Sequence, residues 1–278
     1  MHKPTRSTFT KLAAATAATA ATAIVALLPA TAFAQAQMVT ITVQNLAAAN
    51  SVSFAPLHFG FNAGLFDAFN IGGVATAPII SVAEGGSGQA WQAAFAAAEP
   101  GAARGTVGGL LTPGATASLT VMVDPAVNRF FTFGSMVVPS NDFFIGNDSP
   151  TRYEVFDING NLLLGSILQR ASQVWDGGSE AFDPAAAAFV GNNDLRTAQN
   201  SVVAFNFAEL AAFNGLTTGA GYIFNSGLVN NSEIYRISFS AVPVPEPGTW
   251  ALFGAGLLGV GWLSRRRAQA AHLSLPQV

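Results

Sequence analysis

Cysteine is absent from all 278 residues. No disulfide can brace this chain, and no thiolate can serve as a nucleophile or zinc ligand, so a folded domain must stand on its core; export is not excluded. Charge is also scarce, at 10% of residues. Lysine stops after Lys11, and between Gln35 and Gly248 fifteen acids face six arginines, a surplus of nine negative charges. Such a segment lacks the basic face that nucleic acid requires, which excludes that partner. It suits a divalent cation, and equally a plain solubility device. Histidine is rare, with His58 the sole one in this stretch. No serine–histidine pattern or nucleophile elbow is visible, and no repeat of fixed period recurs. What the chain has in quantity is apolar: half of its residues are hydrophobic and 22 are phenylalanine, enough for a sizeable core.

The two ends read as addresses. Lys3, Arg6 and Lys11 precede the apolar stretch Leu12–Leu28, and Thr31-Ala32-Phe33-Ala34 supplies a small-residue cleavage site. Residues 1–34 therefore read as a signal peptide cut after Ala34. At the other end, residues 242–248 (Val-Pro-Val-Pro-Glu-Pro-Gly) form a stiff linker. Residues 249–264 are an apolar run of sixteen, read as a transmembrane helix that the flanking Pro247-Gly248 and snorkelling arginines would extend. Arg265, Arg266 and Arg267 open a basic cytoplasmic tail over residues 265–278.

Between the ends, residues 35–241 alternate in the manner of strands. Met38–Asn45, Thr116–Asp124 and Glu233–Ala241 switch apolar and polar at period two. Val52–Phe61, Ile79–Ala83, Arg129–Val138, Val202–Phe207 and Tyr222–Asn225 read as further extended runs. Tyr153–Asp157 and Leu162–Leu168 read as a hairpin about Asn159-Gly160. One helix is expected over Gly88–Glu99, capped by Ser87, with Trp91, Phe95 and Ala98 as its buried stripe. The fold class is all-β: an antiparallel β-sandwich of about eight strands with one short helix.

Two polar constellations stand out. In Ser135-Met-Val-Val-Pro-Ser-Asn-Asp-Phe-Phe-Ile-Gly146 an apolar strand stops at Pro139, three oxygen-bearing residues follow, and the chain returns to apolar. This is either a plain turn or a tip that holds an ion. The second is Trp175-Asp-Gly-Gly-Ser-Glu180, where glycines let backbone approach an ion closely. Asp157-Ile-Asn-Gly-Asn161 opens like an EF-hand, but its glycine comes one place early and Leu168 stands where a glutamate is needed, so it reads as a hairpin turn. His58, between Leu57 and Phe59, reads as a hydrogen-bonded core histidine rather than a metal ligand.

Both constellations resemble the spondin domain, a β-sandwich module of secreted proteins. Phe54-Ala55-Pro56, His58, Leu65-Phe66, Gly72-Gly73 and Ala83-Glu84-Gly85 resemble its earlier motifs, with Ala55 where serine is usual. The resemblance implies one calcium ion, with Asp142 and Asp176 as ligands. It implies a third carboxylate from the strand before the central one, where Asp124 is the only acid, and Glu180 as a further ligand or loop anchor. Animal members carry disulfides that this chain lacks. The Pro245-Glu246-Pro247 triplet, the short span and the cluster Arg265–Arg267 resemble the PEP-CTERM sorting signal. That resemblance implies processing by an exosortase, passage through the inner membrane of a Gram-negative bacterium, and delivery to the cell surface or an exopolysaccharide matrix. The function expected from both is a non-enzymatic, calcium-binding module in adhesion or matrix and biofilm contact, with exopolysaccharide or surface ligands as partners. The alternatives are a secreted glycan hydrolase using Asp142 and Glu180, or an inert coat protein.

Overall fold

The computed structural model describes residues 35–244 and 247–272. The expected signal peptide with Ala34, and Pro245 and Glu246 of the sorting triplet, lie outside the described residues.

Among the described residues, eleven strands and three α-helices follow in the order β1 (Gln37–Asn45), β2 (Ser53–Phe54), β3 (Leu57–Asn62), α1 (Ala77–Gly85), α2 (Gln89–Ala98), β4 (Ala103–Val107), β5 (Thr116–Val123), β6 (Phe130–Val138), β7 (Phe143–Gly146), β8 (Ser166–Arg170), β9 (Trp175–Asp176), β10 (Ala204–Phe205), β11 (Glu233–Pro243) and α3 (Pro247–His272). One sheet has the order β5-β1-β11-β8. The other has the order β10-β9-β7-β6-β3-β4, with β2 also paired to β6. The strand pairs are antiparallel.

The sheets pack face to face, and the sequence pattern of each strand follows from its layer. Strand β1 alternates because only one face is covered: Val39, Ile41 and Val43 point into the core, while Thr40 and Thr42 meet Thr120 and Ser118 of β5 on the outer face. Across the core, Phe239 of β11 meets Phe131 of β6 at 4.9 Å and Phe61 of β3 at 5.9 Å between ring centroids. Strands β3 and β6 do not alternate in exposure, because they are buried on both faces. Their second face carries the two helices. Trp91 and Phe95 of α2 pack with Phe66, Phe69 and Phe144 in a second core. The rings sit close because β3 and β6 offer glycine there. A Cβ at Gly60 would lie 2.3 Å from Phe95 and one at Gly134 would lie 3.0 Å from Trp91.

The all-β expectation therefore holds in outline, with more elements than foreseen. The expected strand Ile79–Ala83 is helix α1. Ile79, Val82 and Ala83 recur at helical spacing on its buried side, and Pro78 opens its first turn. The expected helix appears as α2, but Gly88 rather than Ser87 is its N-cap. Tyr222–Asn225 forms no strand; Ile223 makes a single bridge to Thr217. The Asn159-Gly160 turn is real, with Asp157 accepting from the Asn159 and Asn161 amides, yet only Phe156 and Leu162 pair across it.

The C-terminal expectations need correction. Strand β11 continues to Pro243, which pairs with Gln37, so the first linker residues belong to the sheet. Helix α3 begins inside the expected linker and runs 26 residues, past the arginines. Among the described residues no helix is long and apolar enough to cross a membrane, so the transmembrane reading of residues 249–264 is not supported. Sixteen apolar residues extend about 24 Å as a helix, against a hydrocarbon core of about 30 Å. The charge that follows is immediate, and Arg266 folds back over the Trp262 ring at 3.9 Å.

Candidate functional site

Strand β6 ends at Val138, and after Pro139 the chain turns through Ser140, Asn141 and Asp142 into β7. Ser140 makes the turn. Its hydroxyl donates to the Val137 carbonyl at 2.6 Å and accepts the Phe143 amide at 3.0 Å. Asn141 exchanges two hydrogen bonds with the backbone of Asp183, at 3.1 and 3.2 Å. The three polar side chains are not displayed to solvent; Ser140, Asn141 and Asp142 are all buried.

Asp142 faces the second constellation. Its Oδ2 accepts the Ser179 amide at 2.7 Å, the Ser179 hydroxyl at 3.0 Å and the Glu180 amide at 3.0 Å. The Gly177 amide donates to the Asp142 carbonyl at 3.1 Å. Glycine is needed at 178, where φ is +66° and a Cβ would lie 2.9 Å from the Ser201 backbone. Strand pairing sets the rest. Phe143 of β7 is opposite Asp176 of β9, so Asp176 stands beside the buried tip. Its Oδ1 accepts the Gly178 amide at 2.7 Å. Burial, then the Asp142 charge and further the Glu209 charge, push the Asp176 carboxyl up to about 7, against the Gly178 hydrogen bond. Two segments 34 positions apart in sequence thus form one carboxylate pair. Glu209, from a 3₁₀ turn over Ala208–Phe213, adds its charge and was not singled out by sequence reasoning.

Glu180 lies on the far side of the same loop. Its carboxylate is buried, with Oε1 3.2 Å from Arg196 and Oε2 without a hydrogen-bond partner. Burial raises it to about 7, with Arg196 opposing and Glu84 and Asp142 adding to the rise. Arg196 also donates to the Glu84 carbonyl at 2.9 Å, tying the polar loop 192–200 to the end of α1. Arg196 had no sequence signal beyond its charge.

Asp124 is elsewhere. It is exposed at the end of β5, an edge strand of the other sheet, where its Oδ1 accepts the Ala126 amide at 3.0 Å and closes a turn. Its assignment to the ion site is corrected for that reason. Among the described residues no group of three or more His, Asp or Glu side chains is arranged to hold a metal ion. His58 is structural. Its Nε2–H donates to the Gly86 carbonyl at 3.0 Å, so Nδ1 accepts the Thr106 hydroxyl at 3.0 Å. Burial lowers its pKa, in keeping with a neutral ring.

The chain carries a PEP-CTERM protein-sorting motif at residues 243–267. The match begins at the last residue of β11 and includes Pro245, Glu246, Pro247, Arg265, Arg266 and Arg267. It spans only the C-terminal segment and adds no support to the spondin resemblance of residues 35–241. No curated protein matches the chain.

Proposed function

We propose that this chain is an exported, non-enzymatic β-sandwich, delivered to the cell surface or extracellular matrix for adhesion or matrix contact. The observation that carries the reading is the sorting motif at residues 243–267, placed directly after the final strand. Exosortase processing there would leave the β1–β11 pairing whole and free the sandwich from helix α3. What favours binding over glycan hydrolysis is the burial of both candidate carboxylates, Asp142 and Glu180, with Asp142 already committed to three donors. Replacing Pro245, Glu246 and Pro247 by alanine in an exosortase-bearing host is expected to abolish processing and leave the chain uncut and undelivered to the surface. Unchanged processing and surface delivery would sink the proposal.

Calcium at the Asp142–Asp176 pair is a second reading, favoured by the meeting of the two loops and by the repulsion of the Asp142 charge, which helps to raise the Asp176 carboxyl. The donors are hard oxygens, as calcium prefers. Asp142 and Asp176 would hold the ion through the carboxylate oxygens not taken by loop amides, with main-chain carbonyls and water completing the shell. The bound ion would supply positive charge to the pair.

The test uses Asp176→Asn, which keeps an oxygen for the Gly178 amide. An acid raised to about 7 in the folded state, from 3.8, keeps its proton while the unfolded chain loses it. Stability therefore falls as pH rises through that window and is lowest above it. In EDTA at about pH 8 the variant is expected to melt above the parent, and the gap to close near pH 4. Calcium should raise the melting temperature of the parent and leave the variant unmoved. Equal calcium shifts in both would remove the ion from this site.

A further inference from the structure

A cleft of about 340 Å³ opens at the C-terminal end of β7 and the start of β9. It draws on four segments: Ile71, Asp148 just after β7, Arg152 and Tyr153 from the next turn, and Ser172, Gln173 and Trp175 leading into β9. The aromatic walls are fixed. Trp175 is held by Phe69 and Phe205, each at 6.5 Å between centroids. Tyr153 lies 6.0 Å from Phe133, and its hydroxyl accepts from the fully buried Gln169 at 3.1 Å, which anchors the phenol tip at the core. The Gln173 carbonyl oxygen is taken by the Arg170 amide at 2.9 Å, which leaves its NH2 group as a donor. Arg152 and Asp148 form no ion pair among the described residues. A larger hollow of about 470 Å³ near Phe207 is lined by Leu228, Val229 and two asparagines and carries no charged group.

We propose that the Trp175–Tyr153 cleft binds a saccharide unit of a neutral glycan. An indole and a phenol offer apolar ring surface to the C–H side of a sugar ring. Arg152 and Gln173 donate, Asp148 accepts, and Ser172 does either, which matches a ring of vicinal hydroxyls, each both donor and acceptor. One guanidinium and one carboxylate leave the cleft without net charge, which disfavours a simple anion or cation. The volume is within the range of small-ligand sites. This rests on reading the sandwich as a binding module. The two can fail separately, because the processing assay reports location and the assay below reports the cleft.

The full chain, in a detergent without sugar headgroups, is titrated with xylotriose, cellotriose and maltotriose by calorimetry and tryptophan fluorescence. At least one is expected to bind saturably. Trp175→Ala and Arg152→Ala are each expected to weaken it about tenfold or more, with Trp262→Phe unchanged. Arg152 is exposed, so its variant keeps the test valid if the tryptophan variant misfolds. Failure of all three sugars to bind, or binding indifferent to both cleft changes, overturns the proposal. Binding of acetate or glycylglycine in place of the sugars overturns it in favour of a carboxylate site.

Discussion

Asp142→Ala is expected to destabilise the sandwich by about 3 kcal/mol or more in urea unfolding, since each buried donor left without a partner costs about 1–3 kcal/mol. One oxygen of Asp142 serves the Ser179 amide, the Ser179 hydroxyl and the Glu180 amide. The hydroxyl can rotate to water; the Glu180 amide belongs to a buried residue and cannot move without the loop. One gain opposes the loss, because removing Asp142 removes a charge that holds the Asp176 proton on. That relief is spread through a half-buried group and is smaller than two orphaned amides. Asp142→Asn keeps an acceptor and relieves the same repulsion, so it should cost well under half as much. A loss under about 1 kcal/mol for the alanine variant, the range of ordinary surface changes, would show that the 177–180 loop is held by other means.

The residues that made this loop readable were oxygen and glycine types in short order, and what they lacked was a partner. Nothing in Asp142 alone indicates Asp176; the resemblance joined them, and the β7–β9 pairing gives the physical cause. Asp124 is the acid nearest the expected strand in sequence. Nearness in sequence does not choose the sheet, and β5 pairs only with β1. The same division runs through the fold. Strands covered on one face, such as β1 and β5, announce themselves by alternation. Segment 79–83 has two adjacent isoleucines and a valine, a composition shared by a buried strand and a buried helix, and the helix won because its apolar side had α2 and the outer face of β6 to cover it. Glu180 reads from the sequence as a further ligand or a loop anchor, but Arg196, its ion-pair partner, is one cation in a polar loop with no pattern around it.

Glu99 carried no sequence signal beyond a place at the end of a helix, and its loss is expected to be the second large effect. It is the C-cap of α2 and is buried, and its carboxylate reaches back 33 to 36 positions in sequence. Oε1 accepts the Leu65 and Phe66 amides at 2.6 and 2.7 Å, and Oε2 accepts the Ala63 amide at 2.6 Å. These bonds hold the turn that delivers Phe66 to Trp91 and Phe95 in the second core. Glu99→Ala should cost about 2–3 kcal/mol and raise hydrogen exchange at Ala63, Leu65 and Phe66 together. The loss should stay below that of Asp142→Ala, because a hollow of about 230 Å³ beside Ala63, Leu65 and Glu99 admits water to the freed amides. Glu99→Gln gives a sharper result. Its one carbonyl oxygen can serve Leu65 and Phe66, but its NH2 would then meet the Ala63 amide, donor against donor. Protection should therefore fall at Ala63 while Leu65 and Phe66 keep theirs. Equal loss at all three amides would mean that the negative charge, and not the number of acceptor oxygens, holds the turn.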